Sequence, residues 1–223
     1  MKNIVIVGAT KDGGIILDSL DKNDEYKIVG FIDGSKEKGT EFNGYTILGT
    51  EVDLPNLIKD YNLDGGILAI ENNWLRMKMA EKLNSIDPNF HFITIIHSSA
   101  IIGRNVKIGM GSLIMPGVII NANSSIGKFC NINANSSIGH DSNLKDFSSI
   151  ASGVCTGGNL KLGEFSTISL GAKLIENITI GKHSIIGAGS LVVKNVKSLS
   201  VASGSPAIIV EKRKLGDSYS SKE

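Results

Sequence analysis

The chain has 223 residues, of which 41% are hydrophobic and 5% aromatic, and its formal net charge at pH 7 is +1. This length accommodates one domain or two small ones, and the hydrophobic fraction is ordinary for a globular protein. A charge so close to zero lacks the basic excess that holds a nucleic-acid backbone, so we expect no nucleic-acid partner.

The first residues contain only four consecutive apolar positions, residues 4–7, before Gly8. This run is too short for the apolar core of a signal peptide, and no stretch of the chain approaches the length of a membrane-spanning helix. The sequence therefore predicts a cytoplasmic protein with no membrane partner.

Residues 1–96 read as a small α/β domain. Apolar runs typical of buried strands alternate with segments of helical periodicity. This alternation predicts a parallel sheet with helices, about one mononucleotide-binding half of a Rossmann-like fold. The predicted elements are strand 4–7, a helix after the turn 8–14, strand 28–32, a short strand 44–50, helix 54–61, strand 66–70, helix 74–83 and strand 92–96.

The turn 8–14 and Asp33 are the candidate ligand-binding features of this domain. Backbone amides at a helix N-terminus can hold a pyrophosphate, and Asp33, which follows the second predicted strand, can accept a hydrogen bond from a nucleoside. The turn lacks the second glycine of the G-x-G-x-x-G fingerprint. We therefore expect no nicotinamide cofactor.

Within residues 97–210, an aliphatic residue recurs every six positions from Ile102 to Val192. Two positions before each member of this column lies a small or apolar residue, which forms a second column. Neither an α-helix nor a simple strand has a period of six. The pattern predicts a β solenoid whose stacked hexads bury one shared core. Only Thr156 interrupts the aliphatic column, whose other members are Ile102, Ile108, Ile114, Ile120, Ile126, Ile132, Ile138, Leu144, Ile150, Leu162, Ile168, Leu174, Ile180, Ile186 and Val192.

The cysteines and the C-terminal segment carry no predicted chemistry. Cys130 falls in the column of small residues and is expected to be a buried core thiol. The histidines are scattered and no carboxylate cluster has ligand spacing, so we expect no metal site. Residues 211–223 are charged and aperiodic, which predicts a disordered tail.

His140 and Asp141 are the candidate catalytic pair of the solenoid. An imidazole can take a proton from an attacking amine or hydroxyl, and a neighbouring carboxylate can orient it. With three hexads per coil, Asn123 is expected directly below Asp141. A solvated turn histidine is the alternative, and His183 is interpreted as a surface turn of this kind.

The order of these segments resembles a known family. The motifs Val7-Gly8-Ala9, Gly30-Phe31-Ile32-Asp33 and Ala69-Ile70-Glu71-Asn72, followed by the hexads, are similar to those of bacterial nucleotide-sugar and sialic acid acetyltransferases. That group includes N-acetyltransferases of 4-amino-4,6-dideoxyhexoses used in protein glycosylation and O-antigen synthesis. The resemblance implies a left-handed parallel β-helix, and it implies that His140 is the general base, assisted by Asp141.

The resemblance also implies the remaining site. Acetyl-CoA is the cosubstrate and lies between adjacent solenoids of a homotrimer, while the nucleotide-sugar substrate binds the N-terminal domain. The turn Gly204-Ser205-Pro206-Ala207 either closes the protein near CoA or only caps the solenoid. The implied substrate-binding residues are Gly8, Thr10, Asp12, Asp33 and Asn133, and the implied CoA-binding residues are Ser149, Leu170 and Ala188.

Two departures from the family pattern affect the acceptor. Many amino-sugar N-acetyltransferases of this group have Gly-His where this chain has Lys11-Asp12, and Gly where it has Glu71. Asp12 either pairs with a cationic amino group of the sugar or caps the following helix. We expect N-acetylation of a nucleotide-linked 4-amino-4,6-dideoxyhexose without an acyl-enzyme. The alternatives are O-acetylation of sialic acid or another sugar hydroxyl, and a non-catalytic trimeric scaffold that binds a nucleotide sugar.

Overall fold

The computed structural model describes residues 1–20 and 25–217 of the chain. These residues form two compact units, Met1–Thr94 and a second that begins at Ile95. No helix within the described ranges is long and apolar enough to cross a membrane.

The first unit is the predicted α/β domain. Its five-stranded sheet has the order β3-β4-β2-β1-β5, parallel throughout except for the antiparallel β3–β4 hairpin. The residues of β1 from Ile4 to Val7 are buried, as expected for an interior strand of a parallel sheet, paired on both sides. The strands are β1 (Lys2–Val7), β2 (Tyr26–Ile32), β3 (Glu41–Phe42), β4 (Tyr45–Gly49) and β5 (Gly65–Leu68); the helices are α1 (Lys11–Leu20), α2 (Leu54–Tyr61) and α3 (Asn73–Ile86), with a 3-10 turn at Glu51–Asp53.

Local sequence explains where these helices begin and end. Asn72 caps α3, because its side-chain oxygen accepts hydrogen bonds from the amides of Trp74 and Leu75. Helix α2 ends at Asn62, which adopts the left-handed conformation. The strand predicted over 92–96 is only partly correct: Phe92 makes a single bridge to Gly66, and the regular strand Ile95–Ile96 belongs to the second unit.

The second unit is a left-handed parallel β-helix with three flat faces. The hexads predicted the solenoid, and the family resemblance implied its handedness. Residues 18 apart pair in register, for example Ile120 with Ile138, so three hexads make one coil. Its first strands are β6 (Ile95–Ile96), β7 (Ile101–Ile102), β8 (Lys107–Ile108), β9 (Leu113–Ile114), β10 (Ile119–Ile120), β11 (Ser125–Ile126), β12 (Asn131–Ile132), β13 (Ser137–Ile138) and β14 (Asn143–Leu144). They continue with β15 (Ser149–Ile150), β16 (Cys155–Thr156), β17 (Lys161–Leu162), β18 (Thr167–Ile168), β19 (Lys173–Leu174), β20 (Thr179–Ile180), β21 (Ile185–Ile186), β22 (Leu191–Val192), β23 (Ser200–Gly204) and β24 (Ala207–Lys212).

The three sheets define the faces and corners of this prism. Face 1 contains β7, β10, β13, β16, β19 and β22; face 2 contains β8, β11, β14, β17 and β20; face 3 contains β6, β9, β12, β15, β18, β21, β23 and β24. The chain runs from face 1 to face 2 to face 3 in each coil. We name the corners 1–2, 2–3 and 3–1 after the faces they join.

Both predicted columns lie in the core. The aliphatic members from Ile114 to Val192 are all buried, whereas Ile102 and Ile108 of the first coil are half-buried. Cys130 is buried in the second column, which confirms the prediction of a core thiol. Serines of the second column bond between coils: Ser124 donates to the carbonyl of Gly139 and accepts from the amide of Ser142. Such pairing explains why buried serine hydroxyls are accommodated inside the prism.

The corners turn through residues in the left-handed conformation, one in each hexad. At corner 2–3 four of these residues, in successive coils, carry rings: Phe129, Phe147, Phe165 and His183 stack with ring centroids 4.6–5.4 Å apart. The interpretation of His183 as a surface turn is therefore wrong, because the residue is buried and its ring stacks on the ring of Phe165.

The segment after Val210 begins as regular structure. Glu211 and Lys212 belong to β24, which pairs antiparallel with β23, and the Arg213 amide donates to the carbonyl of Leu199. The prediction of disorder from residue 211 is wrong for these three residues, because long-range strand pairing satisfies their backbone. The predicted disorder of residues 218–223 falls outside the described residues.

Candidate active site

The structure brings His140 and Asp141 together at corner 1–2, in the turn between β13 and β14. His140 Nδ1 lies 2.6 Å from Asp141 Oδ2, and the two side chains are 58% and 47% exposed. Asp141 adopts the left-handed conformation of this corner, with φ of 55°. Asparagine and aspartate tolerate that conformation better than most residues, and Asn105, Asn123, Asn159 and Asn177 occupy the same position in other coils.

The pair has the arrangement of a general base and its orienting carboxylate. An ionised carboxylate only accepts hydrogen bonds, so the proton of the neutral imidazole is assigned to Nδ1. Nε2 then carries the free lone pair. Because the ring is largely exposed, this lone pair is available to a proton on a bound substrate.

Asn123 supports the carboxylate from the coil below, as the three-hexad period predicted. Its Oδ1 accepts a hydrogen bond from Asn105 Nδ2 at 3.1 Å, which directs its own amide hydrogens towards Asp141. The pKa of Asp141 is lowered mainly by the hydrogen bond to His140; desolvation opposes the shift, and Asn123 adds a second stabilising hydrogen bond. The carboxylate is thus held ionised and oriented.

Gly158 provides the space for the imidazole, in the coil above. A Cβ atom on Gly158 would lie 2.7 Å from both Cε1 and Nε2 of His140. A side chain at 158 is therefore incompatible with the observed ring position. Sequence reasoning missed Gly158, although the 18-residue period places it directly over His140.

The residues predicted to bind CoA do not all lie at the same corner of the β-helix. Leu170 and Ala188 stack at corner 3–1 on consecutive coils, both exposed, and the Gly189 amide donates to the carbonyl of Leu170. Ser149 lies instead on face 3 and is only 8% exposed. Ser152, one coil below Leu170, is the residue that continues this stack; the 18-residue period could have identified it.

Asn133 also lies at corner 3–1, half-buried. Its amide donates to the carbonyl of Ile150, and its carbonyl accepts from the Ser136 hydroxyl at 2.7 Å. Corner 3–1 and corner 1–2 lie at opposite edges of face 1, so one chain does not place Asn133 or Leu170 in the same corner as His140.

In the first unit, the predicted ligand-binding residues gather at the carboxyl ends of β1, β2 and β5. Asp33 accepts hydrogen bonds from the Ala9 amide at 2.7 Å and from the amide and hydroxyl of Ser35. Burial raises the pKa of Asp33, but these hydrogen bonds outweigh it and the net shift is downward. Carboxyl ends of parallel strands are the usual ligand-binding edge of such a sheet.

The turn after β1 is fixed by close packing against β5. Gly8 has φ of +109°, its amide donates to the carbonyl of Ile32, and a Cβ there would lie 2.7 Å from the carbonyl oxygen of Ala69. Thr10 donates its hydroxyl to the same Ala69 oxygen at 3.1 Å. The amides of Gly8 and Ala9 are bonded within the chain, so a pyrophosphate would need amides further along the turn.

The two departures from the family pattern are placed differently. Helix α1 begins at Lys11, so Asp12 is its second residue rather than its N-cap; the side chain of Asp12 lies outside the described residues. Glu71 is exposed, and its carbonyl accepts a hydrogen bond from the fully buried Arg76, which also bonds the carbonyl of Ile70. Arg76 thereby fixes the loop after β5.

Two family models match the chain, one in each unit. Residues 3–83 match the PglD N-terminal domain, and residues 99–134 match the bacterial transferase hexapeptide (six repeats). Among curated proteins, a GDP-perosamine N-acetyltransferase of Escherichia coli is 34% identical over 95 residues, 41% of this chain and 39% of the relative. A UDP-N-acetylbacillosamine N-acetyltransferase of Bacillus subtilis is 33% identical over 119 residues, 52% of each chain. The matches thus span about half or less of these relatives.

Solved structures match over a larger share of the chain. PerB from Caulobacter crescentus, in complex with CoA and GDP-perosamine, is 29% identical with a TM-score of 0.87, covering 95% of this chain and 98% of its own. The acetyltransferase domain of PglB from Neisseria gonorrhoeae, in complex with acetyl coenzyme A, is 26% identical with a TM-score of 0.86, covering 94% and 99%.

Proposed function

Since the chain belongs to the hexapeptide-repeat proteins that carry a PglD-type N-terminal domain, we propose that it is an acetyl-CoA-dependent N-acetyltransferase. The acceptor is the amino group of a nucleotide-linked 4-amino-4,6-dideoxyhexose. The observation that carries the proposal is the His140–Asp141 pair at corner 1–2, with the free Nε2 lone pair next to Gly158. The similar structures that contain CoA and a nucleotide sugar support it.

His140 acts as the general base in this proposal. The sugar nitrogen attacks the thioester carbonyl carbon and forms the new C–N bond, while Nε2 of His140 accepts the proton that the nitrogen loses. The C–S bond then breaks, and the departing sulfur takes a proton from the imidazolium. Asp141 stabilises the imidazolium between these transfers. No acyl-enzyme forms, because the acceptor attacks the thioester directly.

Corner 3–1 fits the extended arm of CoA. Gly171 and Gly189 have left-handed backbones with open space where a Cβ would be, so a ligand chain can approach their backbone closely. Leu170 and Ala188, one residue before each, offer apolar contact, with Asn133 at the same corner for the acceptor. Ser149 is buried within face 3 rather than placed at the corner, so it has no part in this proposal.

We assign nucleotide-sugar binding to the first unit, at the carboxyl ends of its strands. Thr10, Asp12 and Asp33 lie around the turn and the strand ends there. Asp33 holds the Ala9 and Ser35 amides in place, which shapes the turn that the ligand meets.

The placement of the two corners supports a homotrimer. His140 and the corner that carries Leu170 and Ala188 lie at opposite edges of face 1, so the site is incomplete within one chain. A second copy that brings its corner 3–1 to corner 1–2 of the first completes it, and three copies close the ring. Sedimentation equilibrium should give three times the mass of one chain.

The test is thiol release from acetyl-CoA with UDP-, dTDP- and GDP-linked 4-amino-4,6-dideoxyhexoses and with sialic acid. We expect release with one amino sugar, and a loss of about 10²–10⁴-fold in kcat for His140→Ala. His91→Ala, which removes an exposed histidine of the first unit, is the matched control and should retain activity. Release with sialic acid alone would transfer the assignment to O-acetylation, and full activity of His140→Ala would refute the mechanism.

A further inference from the structure

The amide that follows each aliphatic column residue has a regular partner in this β-helix. Asn121 donates to the carbonyl of Ile138 at 3.0 Å, and Ile175 donates to the carbonyl of Val192 at 3.1 Å. Each of these bonds joins one coil to the column residue of the next. Among the described residues the same bond recurs on all three faces from His97 to Ile175, with Gly139 as the exception. In the last coil Gly181 and Gly187 also donate to backbone carbonyls, those of Val196 and Ala202.

The Gly139 amide donates instead to the hydroxyl oxygen of Thr156, at 3.1 Å. Thr156 is the residue that interrupts the aliphatic column, and it is only 6% exposed. The pairing of β13 with β16 correspondingly contains only Ser137 and Cys155, whereas neighbouring pairs on face 1 include the column residue as well. A side-chain hydroxyl has therefore replaced a backbone carbonyl as the acceptor at this one position.

The peptide group between Ile138 and Gly139 is consequently held by side chains at both ends. Its carbonyl accepts from the Asn121 side-chain amide at 2.9 Å as well as from the Asn121 backbone, and its N–H is held by Thr156. His140 is the next residue. The location of the imidazole therefore depends on where this peptide group lies.

We propose that Thr156 is a positioning residue, whose hydroxyl sets the turn that presents His140 to the substrate. This inference rests on the proposed acetyl transfer. Without the hydroxyl, the buried Gly139 N–H would need another acceptor, because an unpaired buried donor is costly. The regular acceptor at this position is the backbone carbonyl of Thr156. If the Gly139 amide moved to that carbonyl, the turn that carries His140 would move with it.

A pair of substitutions separates positioning from packing. Thr156→Val keeps the shape, removes the hydroxyl and restores the aliphatic column; Thr156→Ser keeps the hydroxyl and loses a buried methyl group. We expect Thr156→Val to lower kcat by about 10-fold or more with little change in KM for acetyl-CoA, since a small misplacement of a catalytic group slows the reaction. Thr156→Ser should retain most of kcat although it unfolds at a lower temperature than Thr156→Val.

If Thr156 had a purely structural role, activity would follow stability, and Thr156→Val would have a higher kcat than Thr156→Ser. That result would overturn the inference. A second readout does not depend on activity: the amide resonance and hydrogen-exchange protection of Gly139 should persist in Thr156→Ser and change in Thr156→Val. An unchanged Gly139 amide in Thr156→Val would also overturn it. Absence of thiol release in the wild type with every acceptor would instead refute the proposed function, while the Gly139 amide would still report on the turn.

Discussion

Replacing Gly158 with alanine tests whether the observed position of the His140 ring is the catalytic one. The new Cβ would lie 2.7 Å from both Cε1 and Nε2 of His140, whereas ordinary contacts of this kind are 3.4–4 Å. The ring must therefore move. Because it is 58% exposed, it can swing towards solvent without disturbing the core.

The size of the effect follows from this displacement. Relief of the contact requires a shift of about 1 Å, and a misplacement of that size can cost about 10²-fold in rate. The backbone at Gly158 is outside the left-handed region, so alanine adds no strain there. Such a substitution stabilises a fold by about 0.4–1 kcal/mol when the backbone is compatible. We expect kcat to fall by about 10²-fold while the unfolding temperature stays at or near its wild-type value.

Thiol release and thermal unfolding of Gly158→Ala should be compared with His140→Ala and with the double variant. If alanine at 158 acts by displacing the imidazole, the double variant is no slower than His140→Ala alone. Activity of Gly158→Ala close to wild type, or independent losses that add in the double variant, would refute the reasoning.

Two further predictions concern titrating groups. Asn123→Gly removes the donor to Asp141 and keeps a residue that favours positive φ; it should raise the pKa of Asp141, measured by carboxyl ¹³C titration, whereas Asn177→Gly two coils away should not. The pKa of His183 is lowered, first by burial and then by Lys182 and Arg213, so the unfolded chain binds the proton more readily and stability should fall as pH drops below about 6.5. His183→Phe extends the ring stack and should weaken this pH dependence of the unfolding temperature between about pH 5 and pH 8. An equal slope in the wild type and in His183→Phe would contradict the role of His183.

Much of the second unit was predictable because its period is local. Each hexad buries one aliphatic residue and turns through one left-handed corner, so both columns follow from spacing. The family resemblance implied three hexads per coil, and with that number the spacing places Asn123 below Asp141. The same spacing could have predicted the ring stack at His183, since Phe129, Phe147 and Phe165 precede it at intervals of 18 residues. The error there came from considering the histidine within its own hexad rather than within its column.

Other features depended on pairings that no period specifies. The segment after Val210 becomes a strand because β23 supplies its hydrogen bonds, and its own charged sequence carries no sign of that partner. Similarly, the sequence indicated Asp33 as a candidate partner of a nucleoside, but it did not indicate that the carboxylate accepts a hydrogen bond from the distant Ala9 amide. Ala9 and Asp33 are close only because the ends of β1 and β2 meet in the sheet.

The sequence by itself determined the hexad solenoid, the preceding α/β domain and the proximity of His140 to Asp141, because each follows from local periodicity or from adjacency in the chain. Only the tertiary structure decided that Thr156 bonds the Gly139 amide and that Gly158 makes room for the imidazole. Both depend on hydrogen-bond and contact distances between neighbouring coils, where a shift of about 1 Å changes which atoms meet. Residue spacing along a chain does not record distances that small.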